Sequence, residues 1–228
     1  MKTVIINGQN HKGSTYHIAR SIADKIGGEI TEFFLPRDFG AFCVGCTRCF
    51  MDSEIKCPHY AQLSPITAAM DEADVIILAS PVYVYHATGA MKTFLDHYGY
   101  RWMVHRPAES MFRKQGVCVS TAAGAGTKST NKDMADSLFF WGVARIYSFG
   151  INIAATSWDT ADEEKKRRIE KAANSIASRI LKRHSSVKPS LKTKGMFLVA
   201  RMLQKSGFSE SDMSYWREKG WLGGKRPW

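Results

Sequence analysis

Short apolar runs without polar alternation recur along this chain, each followed by a stretch with helical periodicity, and this rhythm constrains the fold more than any other feature. Thr3-Val4-Ile5-Ile6 ends at Asn7-Gly8, and the next stretch carries Ile18, Ile22 and Ile26 on one stripe before Gly27-Gly28 stops it. Ile30 to Phe34 reads as a second strand, and Ile66 to Ala73 as a helix leading into Val75-Ile76-Ile77-Leu78. A helix over Ala90 to His97 precedes Gly116 to Ser120, and one over Lys132 to Trp141 precedes the run through Ile151 and Ile153. Asp159 or Thr160 is the expected cap of a last long helix with Ile169, Ala173, Ile176 and Ile180 on its apolar stripe. Strands that lack polar alternation are those covered on both faces, as in parallel sheets joined by right-handed βαβ crossovers. Five such units predict a doubly wound α/β domain over residues 1–184, with strand order 2-1-3-4-5 and its ligand at the carboxyl ends of strands 1 and 3.

The loops at those ends carry unusual residues. Gly8-Gln9-Asn10-His11-Lys12-Gly13-Ser14-Thr15 offers two glycines, two hydroxyls, a lysine and the free N–H groups of a helix start, which together suit a phosphate. It matches neither a Walker A loop nor a G-x-G-x-x-G fingerprint, and an ordinary capped glycine turn explains it as well. Ser80-Pro81-Val82-Tyr83-Val84-Tyr85-His86-Ala87-Thr88-Gly89 places apolar and aromatic residues on an exposed loop, where they suit a flat ring; the proline is expected to end strand pairing. Ser120 to Gly126 is small and glycine-rich, so its backbone amides can approach a ligand edge.

Four of the five cysteines fall between residues 43 and 57, as Cys43, Cys46, Cys49 and Cys57-Pro58. The C-x2-C-x2-C run followed by Cys-Pro is similar in spacing to ferredoxin-type ligands and fits one [4Fe–4S] cluster. Zinc fits less well, since its knuckles come as two separated C-x2-C pairs. A cysteine-rich loop without metal is the third reading. Cys118 lies in a strand and is expected to be an ordinary buried thiol.

No apolar run approaches the ~20 residues needed to span a bilayer. The odd cysteine count and the lack of a signal-like opening point to a reducing cytoplasm. The net charge of +11 lies largely in one helix and the last forty residues, which reads as a solvated surface. Residues 185–228 form a basic, aromatic extension with Tyr215, Trp216, Trp221 and Trp228. The extension is expected to pack on a neighbouring subunit or over the ligand pocket, and a membrane-surface helix over Lys194 to Lys205 is the runner-up. Aromatic and basic residues interleave from Asp96 to Pro107, including His97, His105 and Arg106. That composition can stack nucleobases, but a dimer interface or ligand flank is favoured and no nucleic-acid partner is expected. Arg113 and Lys114 are candidates for a nicotinamide phosphate or for a solvated turn.

The first loop, the Ser-Pro-Val-Tyr loop with its Thr-Gly-x-x-Lys-x-Phe-x-Asp continuation, and the cysteine loop after strand 2 together resemble the NADPH-dependent FMN reductase and iron–sulfur flavoprotein families, which are flavodoxin-like. The resemblance spans roughly residues 1–180. It implies that Gln9, His11, Lys12, Ser14 and Thr15 hold the FMN phosphate, and that Pro81, Val82, Tyr83 and Val84 lie along the isoalloxazine. It further implies that Ala122, Ala123 and Gly124 meet the pyrimidine edge. The family loop typically reads Gly-Ser-x-Arg, so Gln9 and His11 replace a hydroxyl and a guanidinium. The implied activity moves electrons from NAD(P)H through FMN to a small-molecule or protein acceptor, with the chemistry at flavin N5 and no catalytic side chain. A homo-oligomer, dimer or tetramer, is expected. The alternatives are a non-enzymatic FMN electron carrier, with or without a cluster, and an FMN-binding regulatory or scaffold module.

Overall fold

The computed structural model describes residues 1–155, 157–207 and 209–228. Its five strands are β1 (Lys2–Asn7), β2 (Glu29–Phe34), β3 (Val75–Pro81), β4 (Gln115–Ala122) and β5 (Arg145–Asn152). All pair in parallel, in the order β2-β1-β3-β4-β5. This is the flavodoxin-like doubly wound sheet. Its three inner strands are buried almost throughout, whereas the edge strands β2 and β5 alternate with partly exposed residues. The unbroken apolar runs are therefore the central strands, covered on both sides.

The helices are α1 (Ser14–Ile26), α2 (Arg48–Met51), α3 (Tyr60–Glu72), α4 (Gly89–Asp96), α5 (Thr127–Phe140), α6 (Glu163–Arg183), α7 (Leu191–Lys205) and α8 (Glu210–Glu218). Side chains of each strand point alternately to two cores. Val4, Ile6, Ile76 and Leu78 join Leu63, Ile66, Phe94 and Leu138 on one face. Ile5, Val75, Ile77 and Val119 join the stripes of α1 and α6 on the other.

Two local expectations are corrected. The cap of α6 is Asp162, whose carboxylate accepts from the N–H groups of Glu164 (2.9 Å) and Lys165 (3.1 Å), while Ser157 and Thr160 bond to each other in the preceding turn. Pro81 does not stop the ladder: it pairs with Thr121, and the Val82 N–H donates to Thr121 O at 2.8 Å. Pairing of β3 with β1 has ended at Ala79, so the N–H that proline lacks would face no strand.

The extension packs on its own chain. Phe197, Trp216 and Trp221 close over Met103 and Phe112 in a third core, with Phe197 stacked on Trp216 at 4.9 Å. Trp216 Nε1 donates to His105 O, Tyr215 Oη to Pro107 O, and Gln204 Nε2 to Val104 O. Between the 3-10 helices Gly99–Arg101 and Glu109–Arg113 the chain is irregular, and the extension supplies donors to the carbonyls of Val104, His105 and Pro107. Among the described residues no helix is long and apolar enough to cross a membrane.

Candidate functional site

At the carboxyl edge of the sheet, the loops after β1, β3 and β4 are tied to one another. Gly8 N donates to Ala79 O at 2.7 Å, and Thr88 Oγ1 donates to Gly8 O at 2.6 Å while accepting from Met91 N as the cap of α4. Thr15 and Thr121 share a buried hydroxyl–hydroxyl bond of 2.6 Å, joining the start of α1 to the end of β4. Thr15 is thus fixed between two elements, which separates it from Ser14, whose hydroxyl has no such buried tie.

The start of α1 is organised for an anion. Its N-cap is Gly13, so no side chain caps the first-turn N–H groups, and that turn carries no acidic residue. A Cβ on Gly13 would meet Gln9 Nε2 and His11 Nε2, each at 3.1 Å, so an amide and an imidazole fold over the helix end. Lys12 is exposed, with its ammonium 5.2 Å from the Tyr16 ring centroid. Amide, imidazole, ammonium, the Ser14 hydroxyl and unpaired N–H groups form a donor set that fits a phosphomonoester.

The loop after β3 folds into a tight turn. Tyr83 and His86 exchange backbone bonds of 2.9 and 3.1 Å, and the two residues between them adopt left-handed conformations, Val84 at φ 48° and Tyr85 at φ 67°. A β-branched residue held there stores conformational strain, and the packing beneath sustains it. Asp133 Oδ2 accepts from Ala87 N (3.1 Å) and lies 3.0 Å from His86 Nδ1, while Ser129 Oγ donates to Tyr85 O. Gly126, at φ 100°, lets the third loop close in: a Cβ there would lie 2.6 Å from Val82 Cγ1. Tyr83, Val84 and Tyr85 are held outward, with Val84 93% exposed. Ala122 is buried and offers only backbone, whereas Ala123 and Gly124 are exposed and nothing lies within 4 Å of a Cβ built on Gly124. Asn152 Nδ2 pins this loop by donating to Gly124 O.

The four clustered cysteines line one cavity of about 70 Å³. Left-handed residues at Gly45 (φ 65°) and Thr47 (φ 57°) bend the chain around this cavity, with Cys43 and Cys46 exposed and Cys49 and Cys57 half-buried. Burial, and then the neighbouring Cys57, Cys43 and Cys46, push the Cys49 thiol up to about 11. What brings the four thiols together is that they line the same small cavity. Two histidines join it: His59 Nδ1 lies 2.9 Å from His97 Nε2, and the ligand atoms of Cys57, His59 and His97 fall within 4.8 Å of one another. His97 Nδ1 is 2.8 Å from Thr93 O, which can only accept, so Nδ1 carries the proton and Nε2 accepts from His59. Burial lowers the His97 pKa and favours this neutral form. The helix separating this cavity from Thr88 is α4, only about 12 Å long at 1.5 Å per residue.

Residues 1–155 match the model of the family described as NADPH-dependent FMN reductase. The chain belongs to that family. Its membership makes it an NAD(P)H-dependent flavin oxidoreductase by class. Among curated relatives of this reductase, an iron–sulfur flavoprotein of Archaeoglobus fulgidus is 26% identical over 188 residues, covering 79% of this chain and 80% of that protein. One of Methanocaldococcus jannaschii is 24% identical, covering 76% and 94%. Among solved structures, a flavone reductase superposes with a TM-score of 0.61 at 17% identity, covering 83% of this chain and 66% of the longer flavone reductase. An FMN-dependent NADH-azoreductase of Bacillus anthracis in complex with FMN gives 0.59 at 12% identity, covering 79% and 100%. At those identities the likeness is one of fold.

Some residues around these candidate sites stand outside the motifs. His59 follows Cys57-Pro58 directly, a proximity that signals it; its partner His97 is 38 residues away and only the fold joins them. Arg106 donates to Phe50 O (3.1 Å), to Cys49 O and to Asp212 Oδ1 (2.5 Å), so it braces the cysteine turn. Lys114 serves no nicotinamide phosphate and no solvated turn. It is buried and donates to Asp71 O and Ala73 O at the opposite edge of the sheet, with burial lowering its pKa. Cys118 is fully buried in β4, and burial raises its pKa.

Proposed function

We propose that this chain is a cytoplasmic, homo-oligomeric oxidoreductase that binds FMN at the carboxyl edge of its sheet and a [4Fe–4S] cluster in the cysteine cavity. In this reading NAD(P)H is the reductant, and the acceptor is a small molecule or protein. The observation that carries it is the side-chain-free amino end of α1, with Gln9 and His11 folded over Gly13. Gln9, His11, Lys12 and Ser14 would hold the phosphate. Thr15 contributes by locking α1 to β4 through Thr121. Pro81 to Val84 would flank the ring and Ala122 to Gly124 its polar edge. Cys43, Cys46, Cys49 and Cys57 would ligate the cluster, supported by their shared cavity and by the similarity to iron–sulfur flavoproteins. Bound FMN supplies two-electron exchange with a nicotinamide, and the cluster supplies one-electron exchange.

The phosphate assignment predicts that FMN binds far more tightly than riboflavin. Ser14→Ala removes one charge-assisted partner of a dianion, worth about 1.5–3 kcal/mol, and should weaken FMN at least about tenfold while leaving riboflavin unchanged. Fluorescence titration of both flavins measures this, and equal affinities in the wild type would refute it. Iron and acid-labile sulfide in anaerobically purified protein should each approach about four per chain, the stoichiometry of one such cluster.

A further inference from the structure

We propose that α7 docks the protein on an anionic membrane surface. This goes beyond the reductase reading and does not depend on it. Along α7, Thr193, Phe197, Ala200 and Gln204 are buried against the third core. The opposite face carries Leu191, Leu198, Val199 and Met202, exposed by 87, 46, 50 and 71%. With Gly195 between them, these positions follow the three-and-four spacing of a single helical stripe. An apolar stripe this continuous on an exterior helix marks an interaction surface.

Charge identifies the partner. Residues 171–209 contain nine Lys and Arg and no Asp or Glu, and five of these cations, Lys188, Lys192, Lys194, Arg201 and Lys205, lie on α7 or just before it. Lys192 and Lys194 sit beside it, their ammonium groups 4.4 and 5.6 Å from the ring centroids of Phe139 and Trp228. Lys188 and Lys205, beyond either end, are exposed. A second copy of α7 laid on this face would bring cations against cations with no carboxylate between them. Anionic headgroups complement the cations, and the acyl boundary receives the leucines and Met202. Apolar burial and electrostatic attraction then act together, as in helices that lie in the membrane interface.

The test uses the whole 228-residue chain as purified and co-sedimentation with vesicles of phosphatidylcholine alone or mixed with phosphatidylglycerol. Binding to the mixed vesicles should be at least about tenfold tighter and should weaken as salt is raised. Met202→Glu should lower that binding at least about tenfold, since it sets a carboxylate in the apolar contact. The double reversal Lys188→Glu with Lys205→Glu should lower it without touching the stripe, which keeps the test informative should Met202→Glu misfold. Equal affinity for the two vesicle types, or no binding to either, overturns the proposal. So does a dimer in solution that Met202→Glu dissociates, which would assign the face to a second copy.

Discussion

Thr88 shows how much the candidate site depends on one hydroxyl. Its Oγ1 donates to Gly8 O and accepts from Met91 N, and the residue is 2% exposed. Thr88→Val keeps the shape and removes both bonds, leaving a buried carbonyl and a helix-end N–H without partners. Each unsatisfied group costs about 1–3 kcal/mol, so the two together should lower the unfolding free energy by about 2–6 kcal/mol. FMN affinity should fall with it, because the first loop hangs from that bond, and Thr88→Ser should restore both. Denaturant unfolding and flavin titration on the three proteins decide the matter; a valine variant as stable as wild type would show the bond to be dispensable. Little of this was legible in sequence. A Thr before a helix reads as a cap, but its bond to Gly8, 80 residues away, follows from strand order. Val84 and Tyr85 were legible as an apolar loop and not as a left-handed turn, because no glycine or asparagine marks it.

Among the elements, the central strands were plain from sequence because burial on both faces leaves a contiguous apolar run. The cysteine loop was legible as a cluster of neighbouring thiols, while its scaffold was not. Its short helix α2 has no apolar period, and its support comes from α8, more than 150 residues downstream. There Asp212, 1% exposed, accepts from Arg106 Nη1, lies 2.7 Å from His105 Nδ1, and is joined by Ser211 Oγ, which lies 3.1 Å from Arg106 Nη1. Arg106 passes this support on to the carbonyls of Cys49 and Phe50. Asp212→Ala strands a buried guanidinium, and breaking such a pair costs about 3–5 kcal/mol. The melting temperature should drop, and in metal-free, reduced protein Cys49 should be alkylated faster than in wild type. Cys118, inside β4, should stay protected until global unfolding. Mass spectrometry of the alkylated chain separates the two thiols. If Cys49 reactivity is unchanged while stability falls, α8 supports the third core alone and does not brace the cysteine turn.

At the scale of the whole molecule, the charge is unevenly spread. Outside residues 171–209 the chain carries 23 Lys and Arg against 21 Asp and Glu, so the remainder is close to neutral. The excess sits on α6, α7 and the turn between them, elements that contribute no residue to the three loops at the carboxyl edge. Long-range steering of an anionic dinucleotide by net charge is therefore weak, because the field at the site comes from nearby groups such as Lys12. The Debye length falls from ~10 Å at 0.1 M salt to ~3 Å at 1 M, which removes distant charges and spares contacts. The second-order rate at which NADPH bleaches the flavin absorbance should then change by no more than about threefold across that range. Attachment to phosphatidylglycerol vesicles should weaken at least about tenfold across it, since that attachment draws on the cationic stretch itself. Stopped-flow absorbance and co-sedimentation in the same buffers compare the two directly. A bleaching rate that falls as steeply as vesicle binding would show the α6–α7 charge to serve the dinucleotide. The cations would then have to reach the carboxyl edge from a neighbouring copy of the chain.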